Sequence, residues 1–437
     1  MRYAIIGAGV AGLSAVEAIR SVDKLGEIIM VSDDPHGFYS RPGLAYYLTG
    51  ELQDKALFPR TKEDYQKLNF NFLKARVTRI LRSDHALLID GKSRLAYDKL
   101  LIAVGARALP LEVQGAVGMK GVVKLDHLAD AKNMLAQARR GKTAVVVGGG
   151  ITALELAEGL HARGMHVHYL LRGDRYWSNV LDKHESKVVE GRLQAEGVTL
   201  HYKAELQEVI GKKGSVTAVH LKDGSVLKCD LLAYAVGISP CLELIEETNL
   251  ARDRGLLVNE HLQTTDPDIY AAGDVAQVFD PLTGKSALDS LWNPAREQGR
   301  VAGWNMAGRK SAYLKSAPFN VTRLAGLTTT IIGVVGRGKD EDMIGIARGD
   351  SETWRELPEA IVAQSGFEIN HMRLMVGEKT LVGAILMGDQ TLSWPLQKMV
   401  AGRADISSIR DQLMQPNAPL ADLIAQFWMS WRRKEAL

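Results

Sequence analysis

The chain has 437 residues, 46% of them hydrophobic and 24% charged, with 42 glycines; this excludes a disordered chain and leaves room for roughly two to four domains, as in a soluble α/β enzyme. Its 54 basic and 51 acidic side chains leave a formal net charge of +3, too balanced to argue for a nucleic-acid partner. Two cysteines, Cys229 and Cys241, form no CxxC pair and read as reduced structural thiols of a cytoplasmic protein, and no apolar run reaches the ~20 residues of a membrane span.

Residues 2–6, RYAII, are a short apolar run leading into Gly7, Gly9 and Gly12. Leu13, Val16 and Ile19 follow at helical spacing, and a second apolar run, EIIMVSDD, ends in Asp33 and Asp34. Strand, glycine turn, helix, strand and acid in that order make a dinucleotide-binding fingerprint. Gly7 permits the tight turn, Gly9 lets a pyrophosphate approach the backbone, and Gly12 lets helix and strand pack closely. The helix N-terminus supplies amides for the phosphates. The functional spacing of the glycines argues against a signal peptide here.

Further along, DKLLIAVGARALP (98–110) reads as a buried strand closing on a glycine turn at Ala103 and Gly105. TAVVVGGGITALELAEGL (143–160) repeats the fingerprint with Gly148, Gly150 and Ala153, and the strand HVHYLL (166–171) follows. CDLLAYAVGISPC (229–241) echoes the earlier strand and turn, with Gly237 in the turn, and TTDPDIYAAGDVAQV (264–278) ends a strand at Gly273 and Asp274. Two dinucleotide sites suggest two cofactors, one fixed and one exchanging. His166 and His168 alternate on one strand face with no cysteine or carboxylate at ligand spacing, so they read as structural and no metal is expected.

These five motifs, in this order over residues 1 to about 305, resemble the two-dinucleotide-binding-domain flavoproteins, the glutathione reductase-like superfamily that binds FAD and NAD(P)H. The resemblance implies an α/β fold with two Rossmann-like domains. FAD would be held by residues 1–110 and 252–310, and NAD(P)H by the inserted residues 111–251. A C-terminal α+β interface domain, residues 311–437, would follow. It also assigns roles. Gly7, Gly9, Gly12 and Asp33 or Asp34 take the FAD pyrophosphate and ribose positions, with Ala103 and Gly105 beside them. Gly273 and Asp274 match the ribityl and flavin-pyrophosphate position, and Gln298 the helix that faces the flavin pyrimidine ring. Gly148, Gly150, Ala153 and Gly237 match the NAD(P)H site, where Glu155 reaches toward the nicotinamide and the flavin N5 edge.

The loop SDDPHGFYSRPGLAY (32–46) is similar to that of putidaredoxin- and rubredoxin-reductase-like proteins at Pro35, His36, Tyr39, Arg41, Pro42 and Leu44. Pro42 stands where the coenzyme A-disulfide reductase and NADH oxidase branch carries a reactive cysteine. Tyr46 stands where the reductase-like relatives carry a lysine near the flavin. Trp292, in SLWNPAREQGRVAGWNMAG (290–308), matches an aromatic near the isoalloxazine. The resemblance therefore implies hydride transfer from NAD(P)H to flavin, then electron transfer without a thiol relay to a small acidic ferredoxin or rubredoxin. Two alternatives stay open: a small acceptor such as oxygen or a quinone, and a non-enzymatic redox-sensing or structural flavoprotein subunit.

NADH-specific relatives end the second strand of the nucleotide domain with an acid for the ribose 2′-hydroxyl; Leu171 stands there, followed by RGDR. Arg172 and Arg175 are suited to pair a 2′-phosphate, so NADPH is expected. Residues 319–336 and 377–409 alternate as strands and then turn helical, similar to the interface domain of the rubredoxin-reductase and nitrite-reductase flavoprotein-module group, and Trp394 reads as a core residue. Last, PLADLIAQFWMSWRRKEAL puts Leu420, Ile424, Phe427 and Trp431 on one helical face before Arg432, Arg433 and Lys434. Three readings stay open for it: docking on its own domain or a dimer mate, an acidic redox partner, or an anionic membrane surface.

Overall fold

The computed structural model describes residues 1–281, 284–336, 361–366 and 370–435; of the C-terminal unit expected from sequence, residues 337–360, 367–369 and 436–437 lie outside them. The apolar run RYAII forms the central strand Arg2–Ile6, paired in parallel with Glu27–Ser32 on one side and Lys99–Ile102 on the other. Asn71–Lys74 and Ile269–Ala271 complete a five-stranded parallel sheet. Strands buried on both faces read as continuous apolar runs, and a parallel sheet needs helices to cover it. One cover is the helix Val10–Val22, which packs against the helix Trp292–Met306.

That helix pair meets backbone to backbone. A Cβ on Gly299 would lie 2.1 Å from the Ala11 carbonyl oxygen, and one on Gly303 2.5 Å from that of Ala15. Gly299→Ala is therefore expected to lower the thermal midpoint despite alanine's better helix propensity, by the ~1–3 kcal/mol typical of overpacking. Calorimetry checks this; a midpoint at or above that of the parent would contradict the close approach.

A second five-stranded parallel sheet is centred on Thr143–Val147, flanked by His166–Leu171 and Leu231–Tyr234, with Thr199–Tyr202 and Val122–Lys124 at its edges. Ala106–Ala108 and Ile238–Pro240 pair antiparallel between the two sheets. Among the described residues the third sheet is antiparallel, in the order Phe319–Leu324, Leu327–Gly333, Leu381–Met387, His371–Val376, Ile361–Gly366. The helix Ser393–Ala401 packs on it.

The final helix, Leu420–Glu435, buries Leu420, Ile424 and Phe427 against this same unit, with Trp431 partly covered. The apolar face foreseen in sequence is thus a core face, and Arg432 and Arg433 point outward from it. Trp394, expected in the core, is instead 54% exposed, edge-on to Trp428 at 5.2 Å with Lys398 over its ring. Among the described residues no helix is long and apolar enough to cross a membrane.

Candidate active site

The C-terminal ends of the first sheet open into a cavity of about 780 Å³, within the range of cofactor clefts. Gly7, Gly9, Asp33 and Asp34 line it at one end. Gly9 is the N-cap of Val10–Val22 and no side chain caps that end, so the first amides face the cavity as an anion site. Gly7 has φ +108°, and a Cβ there would sit 2.2 Å from the Ala103 carbonyl oxygen. Gly12 does not line the cavity; its Cβ would lie 2.1 Å from the Gly7 carbonyl oxygen, so it serves the strand–helix approach. A cradle that any side chain would fill, an uncapped helix end and acids at the next strand's end fit an adenine dinucleotide.

Ala103, Gly105, Gly273 and Asp274 line the middle of the same cavity. Gln298 does not; it is fully buried and its Oε1 accepts the Gly273 N–H at 2.8 Å, which orients the Gly273–Asp274 turn. Trp292 lines the wall with its ring 6.0 Å from that of Phe38. Arg41 and Pro42 line it as well. The Arg41 guanidinium lies 2.8 Å from His127 Nδ1 and 3.9 Å from the fully buried Asp126 carboxylate. Asp126 also accepts the Ala108 N–H at 3.0 Å and lies 3.4 Å from Lys124 Nζ. Sequence reasoning missed Asp126 and His127, since KLDHL carries no motif.

Ile151, Thr152 and Glu155 form the opposite wall. They are on the first turns of the helix Ile151–Ala162, whose N-cap Gly150 again leaves the end without a side-chain cap. Gly148, at φ +145°, would place a Cβ 2.4 Å from the Ala235 carbonyl oxygen; Ala153 is fully buried beneath it. Gly237, at φ +126°, accepts the Leu109 N–H at 2.9 Å in the crossing between the sheets. These glycines shape the turns and stay outside the cavity lining.

One expectation needs correction. Tyr46 does not line the cavity: Leu44 of the helix Gly43–Thr49 is buried in the core, and Tyr46 lies about 200° further round the helix. It is 39% exposed, with the Arg323 guanidinium 4.9 Å from its ring centroid. Arg175 is held in its own turn, bonded to Asp174 Oδ1 at 3.1 Å and to the Ser178 carbonyl at 2.9 Å, whereas Arg172 is exposed just past the end of the strand His166–Leu171, within electrostatic reach of Glu205.

Two further parts of the lining escaped the sequence reading. Cys241 lines the cavity at the crossing strands, yet burial pushes its thiol pKa up, opposite to what a reactive thiolate needs. Asn320, Val321 and Thr322 reach the cavity from the C-terminal sheet, a long-range placement no local motif encodes.

Residues 1–307 match the pyridine nucleotide-disulphide oxidoreductase family. The chain is 28% identical over 418 residues to the assimilatory nitrate reductase electron transfer subunit of Bacillus subtilis (strain 168), covering 95% of this chain and 51% of that one. It thus spans about half the length of that relative. It is 32% identical over 308 residues to a rubredoxin-NAD(+) reductase of Ectopseudomonas oleovorans, covering 69% of this chain and 79% of that one. Among solved structures, the covalent putidaredoxin reductase–putidaredoxin complex superposes with a TM-score of 0.84 at 25% identity, over 97% of this chain and 98% of that one.

Proposed function

The chain belongs to the pyridine nucleotide-disulphide oxidoreductase family, and from that premise we propose that it is an FAD-dependent reductase carrying electrons from NAD(P)H to a small acidic redox protein of ferredoxin or rubredoxin type. One observation carries this reading: a single cavity joins the uncapped helix end at Gly9 to the first turns of the second nucleotide helix at Ile151, Thr152 and Glu155. Two dinucleotides held from those two ends would meet between Glu155 and Trp292. FAD, when bound, supplies a group that takes two electrons together and releases them singly. Gly7, Gly9 and the amides after them would hold its pyrophosphate, Asp33 or Asp34 its ribose, and Asp274 its ribityl side. Ile151 and Thr152 would position the nicotinamide, and Glu155 would hold or pass a proton beside it.

Pro42 and the raised Cys241 thiol support direct electron transfer without a thiol relay. The names of the rubredoxin-NAD(+) reductase and the putidaredoxin complex support a protein acceptor. Outward Arg432, Arg433 and Lys398 beside exposed Trp394 would steer an acidic carrier. The proposed working place is the cytoplasm.

Anaerobic stopped-flow mixing with NADPH and, separately, NADH tests the reading. Bleaching of the flavin, followed by faster reoxidation with a ferredoxin or rubredoxin than with oxygen, supports it; no bleaching with either nucleotide overturns it. We assign NADPH as the preferred donor through Arg172. Arg172→Ala is then expected to raise the NADPH KM roughly tenfold, the size of one lost charge-assisted hydrogen bond, and to leave the NADH KM in place. An unaltered NADPH KM would remove Arg172 from the site.

A further inference from the structure

On the helix Ile151–Ala162, Glu155 and Glu158 are three residues apart, so they share a face with Cβ atoms roughly 5–6 Å apart. Glu155 lines the cavity. Glu158 does not; it is half-buried at the junction of this helix with the hairpin Phe319–Gly333, and its Oε1 accepts the Gly326 N–H at 3.1 Å. Beyond it, Arg323 pairs with both oxygens of Glu51 at 2.7 and 2.5 Å, and the Glu51 side chain is 49% exposed. Two carboxylates therefore share one helix face, Glu155 at the cavity and Glu158 outside it, and Glu51, just past the helix Gly43–Thr49, lies beyond Arg323 at the solvent side. From the other elements packed around it, the charged groups acting on Glu158 are Arg323, Glu51 and Glu196, with the fully buried Tyr169 hydroxyl on the inner side.

We propose that Glu155 and Glu158 form the proton exit of the cavity. The inference rests on the hydride-accepting reading above. Each hydride brings two electrons and one proton into the cavity. When two one-electron acceptors remove the electrons, one proton remains and must leave. The Glu155 carboxylate takes it, forming an O–H bond; Glu158 takes it from Glu155, directly or through one water, and releases it to solvent at Glu51. Neither carboxylate is consumed. Burial pushes the Glu158 carboxyl up to about 7, against the opposing pull of Arg323, which matches its proton affinity to neutral water.

The test uses Glu158→Gln, which keeps an acceptor for the Gly326 N–H. The holoenzyme is reduced by light and a sacrificial donor, so no nucleotide is needed, then mixed with ferricyanide in weak buffer containing a pH indicator. Proton release in the parent should accelerate as pH rises through about 7, where Glu158 becomes the ionised acceptor. In Glu158→Gln that step should vanish and release should slow about tenfold, less than full general-base catalysis because water offers a bypass. Glu196→Gln, a nearby charge off the line, should keep the step and the parent's rate, with the step moved to somewhat lower pH because that charge helps raise Glu158. Infrared spectra of the oxidised holoenzyme should show a carboxylic-acid carbonyl band titrating near 7 that disappears in Glu158→Gln. Parent-like release in Glu158→Gln, equal slowing in Glu196→Gln, or a band that survives the substitution would each overturn the assignment. Failure of both nucleotides to bleach the flavin would instead overturn the donor reading, and the light-driven experiment separates the two.

Discussion

Gly7→Val is expected to yield a colourless protein. Two costs add at this position. The backbone has φ +108°, a region that a β-branched residue scarcely enters. A Cβ would also stand 2.2 Å from the carbonyl oxygen of Ala103, and Ala103 lies just past the strand Lys99–Ile102 that pairs with Arg2–Ile6. No rotamer relieves a contact with backbone, so the turn must move away from the cavity it cradles. Strain of about 3 kcal/mol, loaded onto the bound geometry, lowers FAD affinity roughly a hundredfold. Gly148→Val provides the contrast. It carries the same kind of cost at the second fingerprint, with φ +145° and a contact of 2.4 Å with the Ala235 carbonyl oxygen. That variant should stay yellow after desalting, bleach on light-driven reduction, and fail to bleach with NADPH or NADH. Visible absorbance after desalting, with circular dichroism to confirm folding, reads both. A folded Gly7→Val protein with one FAD per chain would show that the first glycine turn does not hold the cofactor.

The contrast also shows which parts of the molecule were legible in the sequence. A glycine turn, its strand and its helix are contiguous, so RYAIIGAGVAGL and TAVVVGGGITAL declare their local geometry and the parallel sheets around them. What the sequence conceals is geometry made by distant segments. Asp126 and His127 meet Arg41 only because the two sheets are folded against each other. Asn320 to Thr322 reach the cavity from a third sheet, and Cys241 enters its wall because Ile238–Pro240 pairs with Ala106–Ala108. Tyr46 illustrates a different failure: a motif gives a residue's place in the chain, while the helix that forms there decides which way it faces. Arg175 shows a third limit: its guanidinium bonds the Asp174 carboxylate and the Ser178 carbonyl of its own turn, contacts that the string RGDR does not declare.

Distant geometry also sets the largest stability effect expected, at Arg373. Glu185 is fully buried at the start of the helix Lys183–Glu196, and its Oε1 accepts from Arg373 Nε at 2.8 Å and lies 3.0 Å from His371 Nε2. Its Oε2 accepts the Asp182 N–H at 2.8 Å in a capping box, and Arg373 also donates to the Val180 carbonyl at 2.6 Å. These bonds tie the nucleotide-side helix to the strand His371–Val376 of the third sheet. Asp182, Glu185 and His371 have the spacing of a metal site, but the guanidinium already supplies the cation at Glu185. Arg373→Met removes that cation while keeping most of the volume, leaving a carboxylate in a low-dielectric site with a single side-chain donor. The expected loss is about 3–5 kcal/mol, the cost of breaking a buried pair by removing one partner. Glu185→Leu with Arg373→Met removes both charges, and it should recover much of that loss because neither desolvation penalty remains. Calorimetry of the two single variants and the double variant reads the coupling. A double variant no more stable than Arg373→Met would mean that the helix–strand packing, and not the charge pair, holds the two units together here.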